Sequence, residues 1–142
     1  MLVIYLYRKA DFMKEIQLDT HYLSESVVDS NMLACTVGSG DLKVLATPVM
    51  VALMENAGMN CLSQFLDDGE TSVGTAISTT HCAATPLGMK IKAEAKIISI
   101  NGRQVDFEIT AYDEVGLIGK ATHSRFIVLS EKFQAKVDSK LK

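Results

Sequence analysis

One long apolar helix, followed by several strands, is the feature of this sequence that most limits its possible folds. Residues 47–66 carry apolar side chains at intervals of three and four, the spacing of one helix face. Thr47 and Pro48 form a start signal, with Thr47 as the candidate N-cap, and residues 67–69, Asp-Asp-Gly, end the helix. Most other positions are small or apolar too, so we expect the helix to be largely enclosed. The periodic positions are Met50, Leu53, Met54, Ala57, Cys61, Leu62 and Phe65.

The sequence after the helix alternates between apolar and polar residues, as a β-strand with one buried face does. Residues 90–97 and 105–112 both show this period of two. The intervening Asn101-Gly102 favours the positive φ angles of a tight hairpin turn. The two segments therefore form an antiparallel pair. The other expected elements are strands at 71–80 and 117–129 and a short charged helix from Ser130 onwards.

This order of elements predicts an α+β fold in which a curved antiparallel sheet wraps around one long central helix. One helix cannot cover both faces of such a sheet, and the residues near its edges favour pairing with a second copy. We therefore expect a homodimer or a dimer of dimers. The chain has 142 residues, which fits a single domain spanning 1–142. Residues 1–12 are either an N-terminal extension or an added edge strand.

Charge and hydropathy exclude two classes of partner. The formal net charge is −3 and the basic residues are scattered, so no positive patch is available for a phosphate backbone. We expect no nucleic acid partner. No apolar run is long enough to cross a bilayer as a helix, so we expect no membrane partner either.

The cysteines and histidines indicate a cytoplasmic protein without a metal. Cys35, Cys61 and Cys82 are odd in number and lack the close pairing of zinc or redox sites, which is typical of reduced thiols. The apolar segment at 1–7 lacks the preceding positive charge of a signal peptide. The three histidines show no metal-ligand spacing, so we predict no metal site.

Glu55 is the only charged residue between Pro48 and Leu66. An unpaired carboxylate inside an apolar region costs on the order of several kcal/mol unless it is hydrogen-bonded, protonated or open to a wet cleft. One interpretation is therefore a functional carboxylate. The alternative is an exposed polar stripe, which would also contain Asn56, Asn60, Ser63 and Gln64.

Thr47 and His81 stand at the ends of expected elements. A threonine before proline often caps a helix, and a helix N-terminus also presents backbone N–H groups that suit a developing oxyanion. Thr47 and Glu55 are separated by a helical rise of about 12 Å, so a site that contains both would be built by two subunits. His81 follows a strand, and it is either an ordinary hydrogen-bonded histidine or a group that transfers protons.

Arg125 and Gly74 are unusual within their expected strands. Arg125 shares a strand face with His123, among apolar neighbours, where the default interpretation is a structural ion-pair partner. Gly74 marks either a close backbone approach or a bulge. The sequence contains no glycine-rich phosphate loop and no nucleophile-elbow motif.

Three segments, taken in order, resemble the fluoroacetyl-CoA thioesterase group of the hotdog-fold thioesterases. They are residues 47–55, residues 73–88 with His-Cys-Ala-Ala-Thr-Pro at 81–86, and residues 118–125, continuing into residues 131–133. Together they cover most of the chain after position 46. The resemblance implies a hotdog dimer with active sites at the subunit interface.

The same resemblance implies a role for five residues. Thr47, Glu55 and His81 fall on the family's catalytic group, whereas Gly74 falls near the thioester and Arg125 near the substrate. The implied reaction is hydrolysis of a small acyl-CoA thioester to the free acid and CoA. Coenzyme A then enters as part of the substrate, and no separate cofactor is expected.

One segment departs from the fluoroacetyl-specific members, which carry a longer lid with phenylalanines before the helix. Residues 37–43 here are short and contain no aromatic side chain. This departure bears on fluoroacetyl-CoA as a substrate and not on acyl-CoA hydrolysis in general. The alternative function is a non-catalytic sensor that binds acyl-CoA, against which the joint presence of Thr47, Glu55 and His81 argues. The aspartate and histidine arrangement of a hotdog hydratase is not seen.

Overall fold

The computed structural model describes residues 15–142, so the expected extension at 1–12 lies outside the described residues. The strands are β1 (His21–Val27), β2 (Glu70–His81), β3 (Lys90–Asn101), β4 (Gln104–Asp113) and β5 (Leu117–Leu129). The helices are α1 (Ala34–Val37), α2 (Thr47–Ser63) and α3 (Ser130–Asp138). Short 3-10 turns lie at Ser30–Met32 and Ser139–Leu141.

The five strands form one antiparallel sheet in the order β1-β3-β4-β5-β2. The expected hairpin is confirmed as β3 and β4, although its turn is one residue later than predicted. Asn101 still pairs with Gln104, and the two-residue loop is Gly102 and Arg103. Gly102 adopts a φ of 63°, a value that glycine reaches without steric cost.

Helix α2 packs on the concave face of the sheet and contacts all five strands. Its buried face meets the inward-facing residues of the strands, among which Phe107 is the largest fully buried side chain. Full burial of an apolar side chain of this size stabilises the fold by about 1.5–3 kcal/mol. The predicted α+β architecture, a curved sheet around one long helix, is confirmed. The buried residues of the helix are Met50, Met54, Ala57, Gly58, Cys61 and Leu62.

No segment of residues 15–142 covers the opposite face of α2, which corrects the expectation of a largely enclosed helix. Ala52 and Asn56 are exposed, and Met59 is 37% exposed. The reason is geometric, because one sheet covers only one side of a helix. The helix also ends at Ser63 rather than near residue 66, since Phe65 and Leu66 continue in a tighter turn with i to i−3 hydrogen bonds.

No helix described between residues 15 and 142 is long and apolar enough to span a lipid bilayer. The three cysteines are free thiols.

Gly119 lies where β5 passes the end of β2, at a point with no room for a side chain. A Cβ atom added there would lie 2.5 Å from the Thr80 carbonyl oxygen and 2.8 Å from Met50 Sδ. We expect Gly119→Ala to lower the free energy of unfolding by about 1–3 kcal/mol, since the Thr80 backbone must move. Gly116→Ala is the matched control, because a Cβ atom there meets nothing within 4 Å. Urea denaturation of both variants measures the difference, and equal midpoints would contradict the prediction.

Candidate active site

Thr47 is the first residue of α2, and its hydroxyl is bonded to a histidine rather than to the helix. Thr47 Oγ1 lies 2.7 Å from His81 Nδ1. The N-cap is Ala46, whose carbonyl accepts from the N–H groups of Val49 and Met50. The prediction that Thr47 is the N-cap is therefore wrong by one residue. This shift frees the Thr47 hydroxyl for contact with His81.

His81 is the last residue of β2 and is half-buried. Burial lowers the pKa of His81, and the nearby Ala83 backbone opposes the shift without cancelling it. The ring is therefore neutral at pH 7. Within residues 15–142, the buried Nε2 atom has no hydrogen-bond partner. In the tautomer protonated at Nε2, Nδ1 accepts from the Thr47 hydroxyl; in the tautomer protonated at Nδ1, the ring donates to Thr47 Oγ1 and leaves the hydroxyl proton free for a substrate oxygen.

A small cavity of about 270 Å³ adjoins this pair. Its lining includes Thr47, His81, Cys82 and Ala83, together with Leu45 from the segment before the helix. The N-terminus of α2 lies beside it; the Val49 and Met50 N–H groups bond to the Ala46 carbonyl and Pro48 has no N–H, which leaves the Thr47 N–H for a ligand. The cavity thus combines a hydroxyl, an imidazole and a helix N-terminus, which can stabilise a negatively charged oxygen.

Thr85 fixes the loop that lines this cavity, and sequence reasoning did not single it out. Its side chain is fully buried, and Thr85 Oγ1 donates to Asp113 Oδ2 at 2.8 Å. Burial raises the pKa of Asp113, but hydrogen bonds from Thr85 and from the N–H groups of Val115 and Gly116 outweigh it and lower the pKa. The Thr-Pro pair at 85–86 is the sequence signal that could have identified this anchor.

Glu55 occupies a different part of the protomer, where α2 passes the middle of β2. It is half-buried, and a Cβ atom added to Gly74 would lie 2.9 Å from Glu55 Oε2. The register of β2 against β5 also shifts between Gly74 and Ala76, which is a β-bulge. Gly74 therefore combines the two features proposed for it as alternatives, a close approach and a bulge. Glu55 points at this bulge and not along the exposed stripe of the helix.

Arg125 lies beside this region and is held by three hydrogen bonds. It is 6% exposed. Arg125 Nε donates to Ser72 Oγ at 2.8 Å, and Nη2 donates to the Ser72 carbonyl at 3.0 Å. Nη1 lies 3.2 Å from His123 Nε2. Burial lowers the pKa of Arg125, and the nearby Glu55 carboxylate raises it.

His123 is a site residue that the sequence analysis left outside the site. It is 3% exposed, and its ring lies between Gly74 and Arg125, within electrostatic range of Glu55. The alternation of His123 and Arg125 on an otherwise apolar strand face was visible in the sequence. The position of that face next to Glu55 was not, because it depends on how β2 and β5 pair.

The five predicted residues therefore form two groups within one chain. Thr47 contacts His81, and Glu55 lies with Gly74 and Arg125. No hydrogen bond in the described part of the chain joins Glu55 to Thr47 or His81, as the helical rise between them predicted. Residues 15–142 contain no group of three or more metal-binding side chains placed to hold an ion, and the expectation of no metal stays a prediction.

The chain is similar to known thioesterases over most of its length. The profile of the fluoroacetyl-CoA-specific thioesterase family, FlK, matches residues 28–131. The fluoroacetyl-CoA thioesterase of Streptantibioticus cattleyicolor is 44% identical over 98 residues, which are 69% of this chain and 70% of that protein. A solved structure of the fluoroacetyl-CoA thioesterase FlK superposes with a TM-score of 0.84 at 34% identity, covering 89% of this chain and 98% of that one.

A more distant structure shares the fold alone. The hot-dog-like protein from Thermanaerovibrio acidaminovorans superposes with a TM-score of 0.80 at 16% identity, covering 89% of this chain and 94% of that one. These similarities confirm the resemblance carried by the three sequence segments, the hotdog fold and the predicted enzyme class, a thioester hydrolase. The catalytic and substrate-binding roles of individual residues stay predictions. The chain belongs to the fluoroacetyl-CoA-specific thioesterase family.

Proposed function

We propose that this protein hydrolyses a small acyl-CoA thioester to the free acid and CoA, and that it does so as a homodimer. The observation that carries the proposal is the Thr47–His81 pair, 2.7 Å apart at the N-terminus of a helix, in a chain that belongs to a thioesterase family. Coenzyme A is part of the substrate, and no separate cofactor is needed. The free cysteines support a cytoplasmic location.

The dimer is supported by two uncovered surfaces. Among residues 15–142, strand β2 is an edge of the sheet, and the outer face of α2 is exposed beside it. Antiparallel pairing of two β2 strands about an axis near Ser78 would place Thr75 opposite His81 of the partner subunit. The inward-facing residues of the two strands then stay on the same side of the joined sheet. A dimer of dimers can form from the same unit.

This pairing would unite the two groups that are separate within one chain. Gly74 and His81 lie seven residues apart on β2, which is about 23 Å in an extended strand. Two-fold pairing brings the bulge at Gly74 beside the end of the partner strand, and with it Glu55 beside the partner's Thr47 and His81. Each dimer would then contain two composite sites.

The chemistry follows from the groups that meet in such a site. The thioester carbonyl lies at the N-terminus of α2, where the Thr47 backbone N–H and, with His81 protonated at Nδ1, the Thr47 hydroxyl stabilise the negative charge on its oxygen. Glu55 either attacks the carbonyl carbon or takes a proton from the attacking water. The new C–O bond replaces the C–S bond, and the CoA thiolate leaves with proton assistance from His81. After direct attack, water hydrolyses the resulting anhydride.

The acyl group is small, and a panel of acyl-CoA substrates would identify it. Residues 38–43 form an exposed segment before α2, in which Leu42 is 69% exposed and no aromatic side chain is present. This segment offers no aromatic cover for the acyl group. The relatives act on fluoroacetyl-CoA by name, and that compound belongs in the panel beside unsubstituted acyl groups.

Thiol release from a panel of acyl-CoA thioesters tests the proposed function. We expect the wild-type protein to release CoA from short-chain substrates, with kcat/KM at or above about 10⁴ M⁻¹s⁻¹ for the preferred one. Isothermal titration with the same compounds gives their affinity. Binding of acyl-CoA without release of thiol from any member of the panel would favour the sensor and reject the hydrolase.

A further inference from the structure

His123 is a buried imidazole to which the proposed reaction assigns no step. Its Nδ1 atom lies 2.8 Å from the carbonyl oxygen of Ala76. A carbonyl oxygen only accepts, so Nδ1 carries the proton. Burial lowers the pKa of His123, the Ala76 carbonyl and Glu55 oppose this, and Arg125 lowers it further. The ring is thus neutral, and Nε2 keeps its lone pair.

That lone pair faces the guanidinium of Arg125. Since Nε2 has no proton in this tautomer, it accepts from Arg125 Nη1 at 3.2 Å. Ser72 accepts from Nε and Nη2 of the same side chain. Because each of the three nitrogens makes a contact, the planar guanidinium is held in a single orientation. In that orientation Nη1 and Glu55 Oε2 approach the same point, 3.5 Å and 2.9 Å from a Cβ atom added to Gly74.

Two glycines leave the space that the His123 ring fills. A Cβ atom added to Gly58 would lie 3.1 Å from His123 Cδ2, and one added to Gly74 would lie 3.2 Å from Cε1. Gly58 is buried within α2, where glycine costs about 1 kcal/mol relative to alanine. Phe107 lies on another side, with ring centroids 6.0 Å apart. The helix and the edge strand both lack a side chain where the imidazole passes between them.

The acceptor of the Nδ1–H group belongs to the bulge itself. Ala76 is the residue at which the β2 register resumes after the shift at Gly74. One ring therefore joins the backbone of the bulge to the guanidinium of Arg125. A residue that only stabilised the sheet would need only one of its two contacts, with Ala76 or with Arg125.

We propose that His123 is a positioning residue for thioester hydrolysis, which links the β2 bulge at Ala76 to Arg125 and so fixes the guanidinium in the neighbourhood of the Glu55 carboxylate. This inference rests on the proposed function, because Glu55 is the reactive group near which it places Arg125. His123 itself does not touch the substrate. Its loss should therefore lower kcat through the misplacement of Arg125 relative to Glu55.

Two uncharged substitutions separate the contacts of the ring. In His123→Gln the side-chain amide reaches the position of Nε2, where its oxygen accepts from Arg125. In His123→Asn the amide reaches only the position of Nδ1, where it donates to Ala76 and leaves Arg125 Nη1 without its acceptor. We expect His123→Asn to lower kcat about 10²-fold with KM within about threefold of wild type, and His123→Gln to retain kcat within about tenfold. Melting temperatures of both variants identify any difference that is due to stability.

The position of Arg125 is also measurable without turnover. We expect its side-chain N–H resonances to be resolved in the wild type and in His123→Gln, and averaged by rotation in His123→Asn. Resolved resonances in His123→Asn, or equal losses of kcat in the two variants, would overturn the inference. Absence of thiol release by the wild-type protein would reject the proposed function instead, and the resonances would still decide whether His123 holds Arg125.

Discussion

Replacement of Glu55 by glutamine is expected to lower kcat for thioester hydrolysis by about 10²–10⁴-fold. Glutamine has nearly the same shape, so it fits beside Gly74 without disturbing α2. Its amide neither attacks a thioester nor takes a proton from water. Substrate affinity should change little, because Glu55 is assigned to the chemical step. Thiol release at saturating substrate measures kcat, and isothermal titration measures affinity.

Ser63→Ala is the control for this substitution, because Ser63 ends the same helix and its hydroxyl bonds only locally, to the Asn60 carbonyl. It should hydrolyse substrate at the wild-type rate. If Glu55→Gln also kept the wild-type kcat, Glu55 would have no part in the chemical step. A loss of melting temperature that accounts for the lost activity would lead to the same conclusion.

Two inactive variants are expected to restore activity to each other when their subunits exchange. His81→Ala leaves a subunit with an intact Glu55, and Glu55→Gln leaves one with an intact Thr47 and His81. A mixed dimer then contains one complete site and one doubly altered site. After random exchange at equal concentrations, half of the dimers are mixed, so about a quarter of wild-type activity should return. Denaturation and joint refolding, followed by the thiol-release assay, provide the measurement.

The double variant His81→Ala with Glu55→Gln is the matched control for this exchange. Mixed with either single variant, it forms no complete site, so it should restore nothing. If the two single variants remained inactive together while size-exclusion chromatography showed mixed dimers, each site would lie within one subunit. The assignment of Glu55 and His81 to different subunits would then be wrong.

The local pattern of the sequence was sufficient to predict the helix, the β3–β4 hairpin and the inward face of β5. Successive side chains of a strand point to opposite faces, so the alternation of apolar and polar residues shows which face is buried. The boundaries were less well predicted. Thr47 lies inside the helix because the Ala46 carbonyl accepts the first helical hydrogen bonds, and alanine carries no capping signal.

The composition of the site depends on contacts between residues far apart in the sequence. The bond between Thr47 and His81 spans 34 positions. The clamp on Arg125 needs Ser72 from the neighbouring strand, in a register that the bulge at Gly74 shifts by one residue. Neither the bulge nor the register follows from alternation alone. The family resemblance identified Glu55, Gly74 and Arg125 as important, and the structure adds the imidazole that accepts from Arg125.

Because the reactive groups lie along an edge strand of the described sheet, turnover would depend on the concentration of the protein. A subunit alone would hold both sets of groups yet complete neither. Specific activity would then fall when the protein is diluted below the dissociation constant of the pair, and would return on concentration. The expression level would then set the fraction of subunits that are paired and active, and no effector would be needed.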